Sequence, residues 1–526
     1  MPLAQKPVVL IILDGFGITS PTETNAITQS AKPFFNKLIN TYPTMLLEAS
    51  GMNVGLPFGE MGNSEVGHVN IGSGVLHYQS LPRIDKSIED KSFFENASLL
   101  KAVEKVKKYD SKLHIIGLIG NGGVHAHQRH LEAMIDFCRK YKLKKKTFLH
   151  AFLDGRDAGR DTGKQFLEEI IKYGKKKKCV ELASICGRLY GMDRNRRWER
   201  TEKAYNLIAL GQAEQTTQSP IKAIEASYAN NVFDEEFEPT LIVDKKNNPT
   251  ATVAKEDAVI FVNFRADRAV QLTQAFVKEK FKRFERPYLE GLTFITLTEY
   301  KEGLPVEVAY PRQTIKNPLA KIFSDADLKQ LHAAETEKYA HVTHFLNGQN
   351  EDKFPGEERI LVPSPLAESY AKVPEMSANP LTDELIKAIN SEKFDFIVVN
   401  YANPDMVGHT GDLQATIKAV DVVDQCLQKL IPEILKKNGI AFIVGDHGNA
   451  EELINLQTGK LDKEHSVYPV PFITISNKHE AQIIQTLQNN DLSTMSPLGI
   501  LSDVAPTILA QIGLPADPEM TGASLL

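Results

Sequence analysis

The chain has 526 residues, more than one hydrophobic core usually supports, so two or more domains are expected. Hydrophobic residues make up 42% of the chain and charged residues 24%, which argues against a disordered protein. A net charge of −6 is not typical of a nucleic-acid-binding protein. If the protein binds an anionic ligand, its positive charges have to be concentrated at the binding site.

The N-terminal run and the cysteine content indicate a cytoplasmic protein. The apolar run at 8–13 is short for a signal core, lacks a small-residue cleavage site and stops on Asp14, so it is predicted as a buried strand. No other segment approaches the apolar length of a membrane span. The cysteines are too few and too scattered for a disulfide framework and are expected to be reduced and packed: Cys138, Cys179, Cys186 and Cys426.

Further β-branched runs alternate with helical stretches along the chain. Apolar runs joined by helical crossovers predict an α/β architecture of mostly parallel sheets covered by helices. In such sheets, ligands gather beyond the carboxyl ends of the strands. The further strands are predicted at 112–120, 146–154, 180–187, 258–264, 292–297, 394–401, 439–445 and 470–476.

Carboxylate and imidazole side chains follow several of these strands. Asp405 and His409 are four residues apart, so a turn or one helical turn can direct both toward one point. Asp446 and His447 are adjacent at the end of a strand, where a loop can turn both inward. A single pair of this kind is more often a capped turn or an ion pair, but its repetition favours a metal site. Such a set without cysteine suits Mn²⁺, Zn²⁺ or Fe. The remaining candidates of this type are Asp14 and His465.

A candidate nucleophile lies in the glycine-rich stretch at 55–74. Ser64 stands between Asn63 and Glu65, just ahead of a possible helix, where free backbone N–H groups favour a phosphoryl group. Metal coordination would activate its hydroxyl. The alternative is that Ser64 only caps the helix.

The distribution of charged residues predicts a discontinuous domain. Candidate ligands lie before about residue 75 and after about residue 400, whereas the middle of the chain is rich in arginine and histidine. Proline-containing stretches at 77–85 and 308–314 most resemble linkers. We therefore expect residues 1–78 and 313–526 to form a metal-binding domain, with a second domain inserted at 79–312.

Seven motifs, in chain order, resemble those of the cofactor-independent phosphoglycerate mutases of the alkaline phosphatase superfamily. They span essentially the whole chain, and together they are far more specific than any one alone. They are MGNSEVGH, DGRD (154–157), GRLYGMDR, NFRADR, ETEKYAHVTHF, NPDMVGHTG and GDHGNAE. The resemblance implies an alkaline-phosphatase-like, mostly parallel sheet with helices on both faces, plus an inserted α/β transferase domain.

The resemblance also implies two divalent ions, with Mn²⁺ preferred and Mg²⁺, Co²⁺ or Zn²⁺ as alternatives. Because metal-bound imidazoles must be neutral, activity is expected to fall as the pH drops toward the histidine pKa. The implied ligands are Asp405, His409 and His465 for one ion, and Asp14, Ser64, Asp446 and His447 for the other.

The inserted domain would bind the glycerate. Guanidinium forks match both a carboxylate and a phosphate, and Arg265 and Arg268 would share one face if 263–268 opens a helix. Asp157 and His125 would orient the hydroxyl groups and move a proton. Lys338 would neutralise the transferring phosphoryl group. The residues that the resemblance assigns to the substrate are His125, Arg156, Asp157, Arg188, Arg194, Arg265, Arg268 and Lys338.

The implied reaction is the interconversion of 3-phosphoglycerate and 2-phosphoglycerate in glycolysis and gluconeogenesis. It would proceed through a phosphoserine on Ser64 and would need no 2,3-bisphosphoglycerate. The expected partner is this small-molecule substrate, with no nucleic acid and no membrane, and the chain is expected to be a monomer.

Two alternatives from other classes stay open. A metal-dependent phosphomonoesterase or a phosphopentomutase would share the metal site, although the dense arginine set favours a transferase acting on a carboxylated phosphate. A non-catalytic metal-binding relative would be expected to have lost Ser64 or a ligand. The remaining histidines are predicted to be structural or to lie behind the ligands: His68, His77, His127, His341 and His344.

Overall fold

The computed structural model describes residues 5–455, 458–480 and 491–526. The chain divides into two compact units. Unit 1 consists of Met1–Gln79 together with Gln313–Leu526, and unit 2 is the continuous segment Ser80–Arg312. Each unit contains an eight-stranded sheet with its own hydrophobic cores.

The strands in chain order are β1 (Val8–Leu13), β2 (Thr44–Glu48), β3 (Leu113–Leu118), β4 (Thr147–Leu153), β5 (Glu181–Gly187), β6 (Gln215–Thr217), β7 (Thr240–Ile242), β8 (Ala258–Phe261), β9 (Thr293–Thr298), β10 (Glu307–Tyr310), β11 (Gln330–Glu335), β12 (Glu357–Val362), β13 (Phe396–Tyr401), β14 (Ile440–Gly445), β15 (Val470–Ile475) and β16 (Gly499–Ile500).

The α-helices are α1 (Ala26–Gln29), α2 (Pro33–Ile39), α3 (Ser64–Ser73), α4 (Ser80–Glu89), α5 (Ala97–Tyr109), α6 (Gln128–Lys140), α7 (Gly163–Lys177), α8 (Arg188–Gly191), α9 (Trp198–Tyr205), α10 (Pro220–Ala229), α11 (Val270–Val277), α12 (Leu319–Asp325), α13 (Ala378–Asn390), α14 (Asn403–Gly408), α15 (Leu413–Lys436) and α16 (Val504–Ile512). Short 3-10 turns include Gly51–Val54, Asp234–Glu236 and Thr336–Lys338, and π-helical turns lie at Asn206–Leu210 and His341–Phe345.

The sheet of unit 1 is buried on both faces. Its strand order is β12-β11-β13-β1-β14-β15-β2-β16, and β1 runs parallel to both of its neighbours. Alternate residues of β1 enter different cores: Val9 and Ile11 pack with α13 and α15, whereas Leu10 and Ile12 pack with α12 and α16. Because side chains alternate across a strand, burial of both sets requires helices on both faces.

The sheet of unit 2 follows the same principle. Its strand order is β10-β9-β8-β3-β4-β5-β7-β6, parallel except where β7 pairs with β5. Ile115 of β3 packs on the side of α5 and α6, and the adjacent Ile116 packs on the side of α9 and α11. The predicted α/β class, with mostly parallel sheets covered by helices, is confirmed.

Several local predictions can be compared with these elements. The predicted strands are present with small shifts at their ends, and the four cysteines are free and buried. The possible helix opening at 263–268 is not present, because α11 begins only at Val270. The start of the segment is held by neighbouring parts of the chain: Asn263 accepts the N–H of Leu118 at the end of β3, and Phe264 donates to the carbonyl of His125 in the loop before α6. In the described part of the chain, no helix has the length and apolar character that crossing a bilayer requires.

Candidate functional site

Three adjacent strands of unit 1 bring three carboxylates together. Leu13 at the end of β1 pairs with Tyr401 of β13 and with Gly445 of β14, so the residues that follow these strands lie side by side. Asp14 and Asp446 follow directly, while Asp405 lies in the first turn of α14. All three side chains are buried, which requires nearby positive charge or a cation.

Ser64 is the first residue of α3, and its hydroxyl faces this cluster. Asn63 caps the helix by accepting the N–H of Val66, so the Ser64 hydroxyl is not used as the cap. Its Oγ lies 2.9 Å from Nε2 of His447 and donates to Oδ1 of Asp14 at 3.3 Å. A serine hydroxyl at a helix N-terminus among charged groups is well placed to carry a phosphoryl group.

Lys338 supplies an ammonium group inside the cluster. It lies in the 3-10 turn after β11, and its Nζ donates to Asp14 at 2.7 Å, to Asp405 at 2.5 Å and to Ser64 Oγ at 2.8 Å. Burial alone would lower the pKa of Lys338, but Asp14, Asp405 and Asp446 raise it well above its usual value. Burial opposes ionisation of Asp14 and Asp405, yet the Lys338 charge holds the pKa of both carboxyls below the usual range.

His409 and His465 present bare ring nitrogens to the same carboxylate. Nδ1 of His409 donates to the carbonyl of Lys463 at 2.6 Å, and Nδ1 of His465 donates to the carbonyl of Gly62 at 2.9 Å. These bonds fix the tautomer, so in the neutral rings both Nε2 atoms carry lone pairs. The two Nε2 atoms lie 3.1 Å apart, and each lies 3.3 Å from Oδ1 of Asp405. Converging lone pairs of this kind suit a shared cation.

Asp446 and His447 form the second side of the cluster. Oδ1 of Asp446 accepts the backbone N–H groups of Gly15 and His447 at 3.2 and 3.0 Å. Its buried Oδ2 accepts no hydrogen bond from the described residues and lies 3.2 Å from Nδ1 of His68 and 3.6 Å from Nε2 of His447. Burial would lower the pKa of His447, but Asp446, Asp14 and Asp405 raise it to about 10.

The donor set fits a divalent cation that prefers oxygen and nitrogen ligands. Three overlapping groups have ligand atoms within 4.8 Å of one another: Asp405–His409–His465, Asp14–Asp405–His447 and Asp14–His68–Asp446. Oδ2 of Asp446, which accepts no hydrogen bond from the described residues, and the facing Nε2 atoms are the atoms that such an ion would satisfy.

Three buried polar residues lie around the cluster: Asn400 and Asn449, which were not identified from sequence, and His68, which was predicted to be structural or to lie behind the ligands. His68 donates from Nδ1 to the carbonyl of Ser64 at 2.8 Å, and its Nε2 lies 3.0 Å from Nδ2 of Asn400. Asn400 also donates to Asp14 at 2.6 Å, and Asn449 donates to Asp405 at 2.9 Å. Their contacts orient the carboxylates and the helix that carries the serine.

A second polar cluster lies in unit 2, at the ends of β4 and β5. Leu153 pairs with Gly187, so Asp154 and Arg188 follow neighbouring strands side by side. The guanidinium of Arg188 is almost completely buried and donates to Asp154 at 2.6 Å and to Asp157 at 2.5 Å. Asp154, which sequence reasoning passed over, also accepts the N–H groups of Arg156 and Asp157 and so fixes the loop between them.

His125 and Asp267 complete this arginine cluster. Oδ1 of Asp267 lies 3.5 Å from Nδ1 of His125 and 3.2 Å from Nε of Arg265, while Oδ2 accepts a bond from Arg194 at 2.9 Å. Nε2 of His125 lies 3.8 Å from Asp157. Burial and the charge of Arg188 lower the pKa of His125 to about 4, so its ring is neutral near pH 7.

The arginines of unit 2 differ in exposure. Burial and the neighbouring guanidinium groups lower the pKa of Arg268, which lies beside the carbonyl of Met192. In contrast, about half of each side chain of Arg156, Arg194 and Arg265 is exposed: 53%, 44% and 51%. Exposed guanidinium groups paired with carboxylates can exchange those partners for an anionic ligand.

Comparison with known proteins gives a consistent match along the chain. A family model described as BPG-independent PGAM N-terminus matches residues 84–302. A Clostridium acetobutylicum protein named 2,3-bisphosphoglycerate-independent phosphoglycerate mutase is 48% identical, covering 99% of this chain and 100% of the relative. A Chloroflexus aurantiacus protein of the same name is 46% identical, covering 99% and 98%. A crystal structure of Leishmania mexicana phosphoglycerate mutase at low cobalt concentration is 27% identical, with TM-score 0.51 and coverage of 99% and 98%.

Proposed function

This chain belongs to the 2,3-bisphosphoglycerate-independent phosphoglycerate mutases, enzymes that interconvert 3- and 2-phosphoglycerate, and we propose that it does so through a phosphoserine on Ser64. The observation that carries this proposal is the environment of the Ser64 hydroxyl. It lies within 3.3 Å of an ammonium, an imidazole and a carboxylate, at the N-terminus of a ten-residue helix.

The residues of unit 1 form the metal-binding, phosphatase-like part of the proposed enzyme. Divalent ions bound there would lower the pKa of the serine hydroxyl and offset charge on the phosphoryl oxygens. Mn²⁺ is the preferred ion because the ligands are carboxylates and imidazoles. The proposed ligands are Asp405, His409 and His465 for one ion, and Asp14, Ser64, Asp446 and His447 for the other.

Unit 2 is the proposed glycerate-binding part. Arg265, Arg156 and Arg194 are half-exposed guanidinium groups that match the carboxylate and phosphate of the substrate. Arg188 and Arg268 are buried and would add positive charge behind them.

The proposed transfer has two balanced steps. In the first step the bond between phosphorus and the 3-oxygen of the substrate breaks while a bond from phosphorus to Oγ of Ser64 forms; the serine hydroxyl gives up its proton and the departing 3-oxygen takes one up. In the second step Oγ of Ser64 leaves phosphorus and regains a proton, while the 2-hydroxyl attacks the phosphoserine and loses its own proton. The neutral imidazole of His125, beside Asp157, is suited to accept that proton.

Lys338 is proposed to act on the phosphoryl group itself. Its ammonium already donates to Oγ of Ser64, so it would face the oxygens of a phosphoryl group placed on that atom. Water has to be kept from the phosphoserine, because hydrolysis would convert the enzyme into a phosphatase.

The decisive experiment follows label from substrate to protein. Purified protein is mixed with Mn²⁺ and ³²P-labelled 3-phosphoglycerate, without 2,3-bisphosphoglycerate, and quenched in acid within milliseconds. We expect labelled Ser64 in the wild type, neither label nor 2-phosphoglycerate with Ser64→Ala, and both with the control Ser73→Ala at the other end of α3. Release of inorganic phosphate without isomerisation would identify a phosphatase instead.

The proposed enzyme acts as a monomer in the cytoplasm. Both clusters are built from residues of one chain, and the four cysteines are free and buried, as suits a reducing compartment. Sedimentation of the Mn²⁺-loaded protein is expected to give one species of about 59 kDa, the mass of a single chain. A dimer of twice that mass would contradict the monomer.

A further inference from the structure

Glu451 is a buried carboxylate that the proposed reaction does not use. It lies five residues beyond Asp446 and is 2% exposed. A carboxylate placed so deeply in a protein needs hydrogen bonds to compensate for lost hydration. The three groups that supply them come from three separate parts of unit 1.

The donors to Glu451 are spread over the loops that carry the candidate ligands. Oε2 accepts the backbone N–H of Gly17 at 3.0 Å and that of Asn449 at 2.9 Å. Oε1 accepts the hydroxyl of Ser466. Gly17 lies three residues beyond Asp14, and Ser466 directly follows His465.

The surrounding backbone is shaped to admit this carboxylate. A Cβ on Gly17 would lie 2.4 Å from the carboxyl carbon of Glu451, and a Cβ on Gly448 would lie 2.1 Å from its Oε1. Gly448 also accepts the N–H of Ser466 at 3.0 Å. The close approach of three loops around one side chain therefore depends on glycine at two of the contact points.

Asn449 extends the connection to a fourth segment. Its backbone N–H donates to Glu451, while its side chain donates to Oδ1 of Asp405 at 2.9 Å. One carboxylate is thus linked, directly or through one residue, to the segments that carry Asp14, Asp446, His465 and Asp405.

We propose that Glu451 is a positioning residue for the metal centre, holding the ligand-bearing loops at the spacing that an ion requires. The proposal rests on the metal centre proposed above. It predicts that loss of Glu451 weakens metal binding itself, because outer residues that orient ligands typically contribute about 10- to 100-fold to metal affinity.

The test measures Mn²⁺ binding by the full-length protein without substrate, using titration calorimetry and the EPR signal of free Mn²⁺. Glu451→Leu removes every acceptor at similar volume and is expected to raise the Mn²⁺ dissociation constant about 10- to 100-fold. Glu451→Gln keeps an oxygen for the two backbone N–H groups and an amide for Ser466, so it is expected to restore affinity to within about fivefold. Ser466→Ala removes one of the three bonds and is expected to weaken binding about fivefold.

A matched control separates positioning from general destabilisation. Leu430→Ala opens a cavity in α15, away from the loops, and should lower the melting temperature of the metal-free protein without changing Mn²⁺ affinity. If Glu451→Leu does not fold, the Mn²⁺ affinity of Ser466→Ala tests the proposal instead. Affinity within about twofold of wild type in the folded variants overturns the positioning role while leaving the metal centre in place. If the wild type itself binds no Mn²⁺, the metal centre fails as well.

Discussion

Two imidazoles, one in each unit, have pKa values moved in opposite directions. His447 is buried among Asp446, Asp14 and Asp405, and these carboxylates raise its pKa to about 10 in spite of burial. In unit 2, burial and the charge of Arg188 lower the pKa of His125 to about 4. The first ring is protonated at pH 7 in the metal-free protein, and the second is neutral.

The opposite pKa shifts reflect the balance of charge in each cluster. In unit 1, three buried carboxylates face one ammonium, so a proton remains on His447 until a cation replaces it. In unit 2, guanidinium groups surround the imidazole and keep its lone pair free to accept a proton. One cluster therefore favours cations, and the other favours anions.

The largest expected effect comes from removing the ammonium of unit 1. Lys338→Met leaves Asp14 and Asp405 close together without their shared partner, which should destabilise the metal-free protein by about 3–5 kcal/mol. Mn²⁺ should recover part of this loss, because an ion supplies positive charge to the same carboxylates. Activity should fall on the order of 10³-fold, since a donor to the reacting oxygen is lost.

The measurement is urea unfolding with and without Mn²⁺. Lys372→Met is the matched control, because Lys372 is exposed and pairs with the exposed Glu368, so its loss should change stability by less than about 1 kcal/mol. An equal loss for Lys338→Met in both conditions would show that the cluster does not bind a cation.

The next largest effect should come from the buried guanidinium of unit 2. Arg188→Met leaves Asp154 and Asp157 without their partner and should destabilise unit 2 by about 3 kcal/mol. Hydrogen exchange of the β3–β5 amides reports on that unit alone. Arg197→Met, whose side chain is 64% exposed, is the control and should leave the exchange rates unchanged.

An exposed arginine of the same cluster should affect binding without affecting stability. Arg265→Ala removes a half-exposed charge that would bind the substrate. The kcat/KM for 3-phosphoglycerate should fall roughly 10- to 150-fold, which corresponds to a loss of about 1.5–3 kcal/mol of transition-state stabilisation. The melting temperature should stay within about 1 °C of wild type. A stability loss as large as that of Arg188→Met would remove the distinction between structural and substrate-facing arginines.

The smallest expected effect is the pH dependence of metal affinity, which arises because metal binding releases a proton. With a pKa of about 10, His447 carries a proton between pH 7 and 9, and metal coordination has to displace it. Mn²⁺ affinity should therefore rise about tenfold per pH unit over this range. The raised pKa also stabilises the metal-free protein below pH 6.5, and this contribution is lost as the pH rises through about 10.

Calorimetry in buffers of different ionisation enthalpy counts the released protons. His125→Gln should leave that number unchanged, because the pKa of His125 is already about 4. His447→Gln should lower the number by one in any binding that remains. Binding without proton release in the wild type would contradict the raised pKa of His447.

The sequence predicted best where a feature depends on neighbours in the chain. Apolar β-branched runs became strands, and acidic residues at their ends converge because parallel strands end at one edge. β11 was not predicted, because two of its buried residues, Gln330 and His332, are polar and interrupt the apolar run that would indicate a strand. His332 is buried because its ring bonds to the carbonyl of Val342 and to the side chain of Gln330.

Features that depend on distant segments were not predictable in this way. Glu451 and Asp154 act by accepting backbone N–H groups from loops; both lie within the motifs GDHGNAE and DGRD, but only the fold shows which N–H groups they accept. A helix opening at 263–268 would have placed Arg265 and Arg268 on one face, but bonds to the end of β3 and to the loop before α6 hold the start of that segment as a loop. Tertiary hydrogen bonds outweighed local periodicity there.

The central strand of unit 1 has consequences for how the chain is made. The six apolar residues Val8–Leu13 are bordered by the strands that begin at Phe396 and Ile440, whereas every strand of unit 2 finds its neighbours within Ser80–Arg312. During translation, β1 stays unpaired until β13 and β14 have been synthesised, whereas unit 2 can fold before then. We therefore expect this segment to engage chaperones, and substitutions in β13 or β14 that slow pairing to reduce soluble yield before they reduce activity.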